Sequence, residues 1–237
     1  MNYICRNIRK EYDGKEILSL SELHLPLGKT TVIMGPNGAG KTSLLRILAF
    51  LETDYFGDLL VAGEKVGKTL EGTKKFRRRS GVIWQRPVMY NMSVRANVAL
   101  GLRLRRVKAE EAEAKVDAIL AKLGLTQLAH VNAKRLSGGE TQKVSIARAL
   151  VVDPEFIFVD EPSSNLDIEA IELMHRLLLE EKEKGKTIVL ITHNLAEAKR
   201  LGDYLVFLNQ GQVLASGELP EVFSAPALTE SPYWRYI

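Results

Sequence analysis

Residues 35–42 read Gly-Pro-Asn-Gly-Ala-Gly-Lys-Thr, and Ser43 follows. Gly35, Gly40, Lys41 and Thr42 stand at the spacing of a loop built to hold phosphate. Its glycines let the backbone curl, with Pro36, Asn37, Gly38 and Ala39 inside the curl, until successive N–H groups point at phosphate oxygens. A helix opening at Lys41 adds the positive end of its dipole. Lys41 is placed to neutralise β- and γ-phosphates, and the Thr42 hydroxyl can coordinate Mg²⁺, with a second hydroxyl beside it on Ser43. A second group comes from Phe156-Ile157-Phe158-Val159-Asp160-Glu161. An apolar strand ending in two carboxylates lifts Asp160 to the edge where the phosphate loop also sits. Asp160 can hold the metal through water, and Glu161 can polarise an attacking water. A third is Leu136-Ser137-Gly138-Gly139-Glu140. Ser137 is a good helix N-cap, and the two glycines expose N–H groups at a helix start, which makes a second anion site. Taken alone, Ser-Gly-Gly reads better as an ordinary helix cap.

These groups need strands and helices in a set order. The pattern predicts a strand from Tyr3 to Tyr12, a hairpin turn at Asp13-Gly14 and a second strand through Leu20. Leu23–Leu27 and Thr30–Met34 read as two further short strands, the latter feeding the glycine loop, with a helix from Lys41. Residues 58–79 read as irregular, with a strand-like Leu59-Leu60-Val61, before a strand at Gly81–Trp84. Helical spacing runs from Ser93 to Leu123 as one amphipathic stretch. Another helix is expected over Ser137–Val152. Phe156–Val159 is a continuous apolar run of the kind buried on both faces of a parallel sheet. A helix at Ile168–Lys184, a strand at Thr187–Thr192, a helix at Leu195–Leu201 and a strand at Tyr204–Leu208 complete the alternation. A turn at Asn209-Gln210-Gly211 comes next, and the segment after Gly217 reads as a wrapping tail. The fold class predicted is α/β, a phosphate-loop nucleotidase core with a parallel sheet, an antiparallel β layer at the N-terminus and a helical subdomain at about 86–150. The whole, 1–237, is read as a single domain.

Composition narrows the partners. Net charge is only +4 over 237 residues, so charge does not point to nucleic acid as a partner. The densest basic run, Lys74-Lys75-Phe76-Arg77-Arg78-Arg79, reads as a solvated face. A lone cysteine, Cys5, suits a reducing compartment and reads as a small structural hydrophobe. The N-terminus lacks the apolar core of a signal peptide, and no apolar run approaches the ~20 residues that cross a bilayer. Work at a membrane would therefore go through partners.

The Leu136–Glu140 segment, about twenty residues before the strand carrying Asp160, resembles the signature of the ABC (ATP-binding-cassette) ATPases. The likeness runs from Tyr3 to about Gly217. By that resemblance, Tyr12 stacks on adenine, where by itself it would read as a core or edge aromatic. Gln85 links Mg²⁺ and the attacking water to the membrane-subunit contact. Ser164-Asn165-Leu166-Asp167 forms the loop that crosses a dimer interface, and His193 senses the γ-phosphate. His24, His130 and His175 match nothing and read as surface or packing residues. Glu140 replaces a commoner Gln, Thr42-Ser43 inverts the usual order, and Asn165 and Asn194 stand where Ala and Asp are common. None of these removes a catalytic group.

The resemblance implies an ATPase using ATP and Mg²⁺. Two cassettes, identical or paired, meet head to tail, each ATP lying between one phosphate loop and the other's Ser137 region. A small-molecule kinase would leave the Ser137 segment, Gln85 and His193 without a role. A soluble repair-type protein would need a long coiled-coil insertion, and translation-type members carry two cassettes. An importer is expected over an exporter-type cassette, because no Glu-Arg-Gly segment precedes the signature and because Gly217–Pro226, with Glu221-Val222-Phe223, is importer-like. Integral membrane permease subunits are the expected partners, with an extracytoplasmic substrate-binding protein reached indirectly. The expected place is the cytoplasmic face of the membrane, held peripherally. The chain stops soon after Pro226, so no regulatory domain is expected, and an oxyanion of the tungstate class is the expected cargo.

Overall fold

The computed structural model describes residues 2–163 and 167–223. β1 (Asn2–Tyr12) and β2 (Lys15–Pro26) form a long antiparallel hairpin. Asp13 (φ 49°) and Gly14 (φ 74°) supply the two left-handed residues that a tight hairpin turn requires. β2 does not break after Leu20 as the sequence suggests. In β2 the buried positions are Leu18, Leu20, Leu23 and Leu25, and in β1 they are Tyr3, Cys5, Ile8 and Lys10. Both strands slip phase at the same level, where Asn7 takes φ 50°, so the ladder continues through a pattern that reads as a strand end.

β3 (Thr30–Met34) leads through the glycine loop into α1 (Lys41–Leu48). β4 (Phe56–Val61) and β5 (Glu64–Lys65) then extend the first sheet to the order β2-β1-β4-β5. The stretch expected to be irregular closes with a helix, α2 (Leu70–Arg78), capped by the Thr69 side chain accepting from Gly72 N–H. It buries only Thr73 and Phe76, so it leaves little apolar signal, and the basic run lies on its remaining faces. β6 (Ser80–Ile83) comes next.

The single helical stretch expected from 93 to 123 is two helices, α3 (Val94–Leu104) and α4 (Ala109–Lys122). Arg106 turns the chain at φ 60°, while the Arg105 guanidinium bonds back to the carbonyls of Gly101, Arg78, Arg77 and Ser80. Side chain to backbone bonds of this kind carry no periodic signature. α5 (Gly138–Leu150) starts at the Ser137 cap. Next come β7 (Phe156–Asp160), α6 (Ile168–Glu183), β8 (Thr187–Ile191), α7 (Leu195–Leu201) and β9 (Tyr204–Asn209). Beyond the Gln210-Gly211 turn, β10 (Gln212–Glu218) pairs antiparallel with β9, and α8 (Leu219–Val222) ends the described chain. Of the importer-like segment Gly217–Pro226, residues 217–223 are described and 224–226 are not, and the loop at Ser164-Asn165-Leu166 also lies outside the described residues.

The second sheet has the order β10-β9-β3-β8-β7-β6, in which the five strands from β9 to β6 run parallel. One face packs on the helices from α3 to α6 through Val32, Ile157, Val159, Ile188 and Leu190. The other packs on α1 and the antiparallel sheet through Ile33, Phe158, Val189 and Ile191. This is the α/β architecture read from the sequence. Among the described residues no helix is long and apolar enough to cross a membrane. Cys5 is buried, and burial pushes its thiol up to about 12, which fits a packing role.

Candidate functional site

Parallel strands deliver the residues just past their C-terminal ends to one edge of the sheet. Ile191 is level with Ile33 on one side and with Asp160 on the other, and Ile83 is level with Val159. Gly35, Glu161, His193 and Gln85 therefore leave four adjacent strands at the same rim. Glycine is needed here for space as well as torsion. At Gly35 (φ 144°) a Cβ would stand 1.9 Å from the Leu208 carbonyl oxygen. At Gly40 (φ 95°) it would stand 2.8 Å from that of Ile17, where the antiparallel sheet closes over the loop.

The loop borders a cleft of about 530 Å³ whose walls include Asn37, Gly38, Lys41, Thr42 and Ser43. Tyr12 and Ile17 bound it on the antiparallel side, and Gln85, Asp160 and Glu161 across from them. Lys41 Nζ donates to the carbonyls of Gly35 at 2.8 Å and Pro36 at 3.0 Å. Burial lowers its pKa, against the opposing fields of Glu161 and Asp160. The Thr42 hydroxyl donates to Asp160 Oδ2 at 3.3 Å. Two hard oxygen donors are too few to hold a cation alone, but they fit Mg²⁺, which completes its shell with water and phosphate oxygens.

Asp160 is buried, and burial, reinforced by Glu161, raises its pKa. Stability from such a group is greatest below its unfolded pKa and is lost as pH rises through the folded one. At pH 7 its ionised form therefore opposes folding of the nucleotide-free protein. Asp160→Asn keeps an acceptor for Thr42 and is expected to raise the Tm of that form at pH 7, with the gain vanishing in acid. A lower Tm at both pH values would contradict this account.

Glu161 occupies φ 42°, a left-handed conformation that costs a non-glycine residue about 1–3 kcal/mol. Its Oε2 accepts from Gln85 Nε2 at 2.9 Å, and its Oε1 lies 3.7 Å from His193 Nδ1. The His193 side chain is otherwise largely exposed. Glu161, Gln85 and His193 thus meet, two of them in the cleft wall and the third at its rim.

The remaining sequence-predicted residues lie elsewhere. Ser137, Gly138, Gly139 and Glu140 are not in the cleft walls, and Ser137 and Gly138 are exposed. Ser137 N–H and Oγ both donate to Glu140 Oε2, at 2.8 and 2.7 Å, and Ser137 Oγ accepts from Glu140 N–H at 3.3 Å. The Ser137 hydroxyl and N–H hold the Glu140 carboxyl below its usual range. Ser137→Ala opens this box and should cost about 1 kcal/mol, lowering Tm by about 2–4 °C. Thermal unfolding checks it, and an unchanged Tm would show that the box carries no stability. Asp167 is used as a cap, accepting from Ala170 N–H at 2.8 Å. His24 and His130 are exposed, whereas His175 is buried and bonds Glu197 at 2.8 Å. Sequence reasoning missed Lys10 and Glu52 beside Tyr12, because a Lys and a Glu 42 positions apart in sequence leave no motif.

Residues 18–164 match the family model described as ABC transporter. The chain belongs to the ABC transporter family. It is an ATP-binding, ATP-hydrolysing member of it. Curated relatives of this ABC ATPase include the tungstate uptake system ATP-binding protein TupC of Peptoclostridium acidaminophilum, 36% identical over 90% of this chain and 97% of its own. The phosphate import ATP-binding protein PstB of Pyrobaculum aerophilum is 38% identical, covering 94% and 92%. The glutamine transport ATP-binding protein GlnQ of Escherichia coli is 35% identical, covering 92% and 91%. Among solved structures, the dimeric post-hydrolysis state of the cassette MJ0796 bound to ADP and Pi superposes with a TM-score of 0.82. It is 29% identical and covers 92% of this ABC ATPase and 98% of that chain.

Proposed function

We propose that this ABC ATPase is the motor of a membrane importer and works as one half of a head-to-tail pair of cassettes around two ATP. The observation that carries the pairing is the helix start at Ser137 and Gly138, both exposed. It is an anion site outside the cleft that holds its own chain's phosphate loop. A site with that exposure has a use when a second copy presents its nucleotide to it, and the MJ0796 cassette is itself dimeric. The single domain 1–237 would then carry residues 86–150 as a helical subdomain bearing the second anion site.

In each half the loop N–H groups from Asn37 to Gly40, with Lys41, hold the β- and γ-phosphates, and Tyr12 stacks on adenine. Thr42, with Asp160 and Gln85 near it, would hold Mg²⁺, which when bound neutralises charge on the phosphate oxygens. Water attacks the γ-phosphorus as the bond to the β-phosphate oxygen breaks, and Glu161 takes the water's proton. Gln85 orients that carboxylate, and His193 faces the transferred phosphoryl group. The partner's Ser137, Gly138, Gly139 and Glu140 close the site, with Asp167 at the interface. Hydrolysis removes the charge that joins the halves, and their opening drives integral membrane permease subunits at the cytoplasmic face. An extracytoplasmic substrate-binding protein acts on the other side of those subunits.

For cargo we propose an oxyanion of the tungstate class. TupC is 36% identical and matched almost end to end. The test is ATPase activity of the subunit with its co-purifying membrane partners and their binding protein, loaded with tungstate, phosphate or glutamine. Stimulation by tungstate alone is expected. Stimulation by another ligand overturns the cargo, and activity indifferent to partners and to protein concentration overturns the importer and the pairing.

A further inference from the structure

Tyr12 ends β1 at the cleft as a residue 45% exposed, yet its ring is held from behind by buried charge. Lys10, two residues earlier, is only 3% exposed, and its Nζ lies 4.6 Å from the centre of the Tyr12 ring. That ammonium donates to the Asp54 carbonyl at 2.6 Å and to Asp54 Oδ2 at 2.9 Å, with Glu52 Oε1 3.7 Å away. The Tyr12 hydroxyl donates to Glu52 Oε2 at 3.1 Å. Glu52 is itself locked, its Oε1 accepting the N–H groups of Thr53 and Asp54, each at 3.0 Å. Burying a lysine is costly unless partners compensate it. Burial does lower the Lys10 pKa, but the Asp54 bond and the nearby carboxylates outweigh it and the net direction is upward, so the group stays charged.

We infer that Lys10 is a positioning residue for nucleobase binding, fixing and polarising the Tyr12 ring from its inner face while Glu52 pins its hydroxyl. This rests on the reading of Tyr12 as the residue that stacks on the base. A cation on one face draws π density toward itself. The outer face is left less negative, which favours a second π system laid against it. The two tethers also fix the ring angle before the base arrives, so that binding does not have to order it.

The probes are ATP and inorganic tripolyphosphate, which carries the phosphates without a base, titrated calorimetrically into the full-length protein. Lys10→Met keeps the apolar stem and removes the charge. It should weaken ATP binding about two- to tenfold, the cost of ordering one side chain, and leave tripolyphosphate binding unchanged. KM for ATP should rise with kcat at saturation unaltered, and Lys10→Arg should restore both. In a Tyr12→Leu protein, Lys10→Met should add nothing. Unchanged ATP affinity in Lys10→Met, or equal weakening of both probes, overturns the inference. If Tyr12→Leu also leaves the ratio of the two affinities unchanged, the reading of Tyr12 fails instead.

Discussion

Lys41→Ala is expected to abolish useful ATP binding. In the cleft the ammonium donates to the carbonyls of Gly35 and Pro36, and in the proposed role it exchanges them for phosphate oxygens. Burial has stripped part of its water, which lowers its pKa and leaves it with more to gain from an anion than an exposed lysine would have. A charge-assisted hydrogen bond contributes about 1.5–3 kcal/mol, so losing the bonds to two phosphates weakens ATP by about 100-fold or more. ADP, which lacks the γ-phosphate, should lose less. Calorimetric titration of both nucleotides decides it. An ATP affinity equal to wild type would refute the role given to the phosphate loop.

How far the sequence reaches depends on how local the cause is. The glycine loop is legible because Gly35 and Gly40 hold torsions and close approaches that only glycine allows. Phe156–Val159 is legible because a strand covered on both faces must be apolar throughout. α2 escapes notice because two buried side chains in nine residues leave no period, and its cap is a single threonine. The join between α3 and α4 escapes it because Arg106 turns the chain while the Arg105 side chain bonds carbonyls from three separate elements. β2 reads as two strands because the Asn7 irregularity shifts both hairpin strands together, and sequence shows each strand separately.

The site obeys the same rule. Asp160 and Glu161 can be read from the strand that carries them. That Gln85, Glu161 and His193 meet depends on the level at which β6, β7 and β8 pair, which is a property of the sheet. The strain at Glu161 has no local sign either, since glutamate is an unusual choice for φ 42°. The surrounding fold holds Glu161 there at a cost, with Gln85 on one oxygen and His193 near the other, and this strain is what motivates the proposed catalytic role.

Glu161→Gln therefore gives the sharpest test of mechanism. Glutamine keeps the length of the side chain, can still accept from Gln85, and inherits the same backbone strain, so folding stability should barely change. It cannot take a proton from water. Loss of a general base should lower kcat by about 10²–10⁴-fold. Removing a negative charge near the phosphates should leave ATP binding at least as tight as in wild type. With hydrolysis stalled, ATP persists, and the proposed pair of cassettes should persist with it. The variant is expected to elute as a dimer with ATP and as a monomer with ADP in size-exclusion chromatography, run with and without Mg²⁺. Adding Ser137→Arg places a bulky side chain at the exposed helix start and should abolish the dimer while leaving ATP in its own cleft. That substitution also removes a helix cap, so Ser137→Ala is the control, since it loses the cap without blocking the anion site. If Ser137→Ala disrupts the dimer as fully as Ser137→Arg, the capping box rather than the second anion site explains the loss. A Glu161→Gln protein that turns over normally overturns the general-base assignment, and one that stalls yet stays monomeric with ATP overturns the head-to-tail sandwich alone.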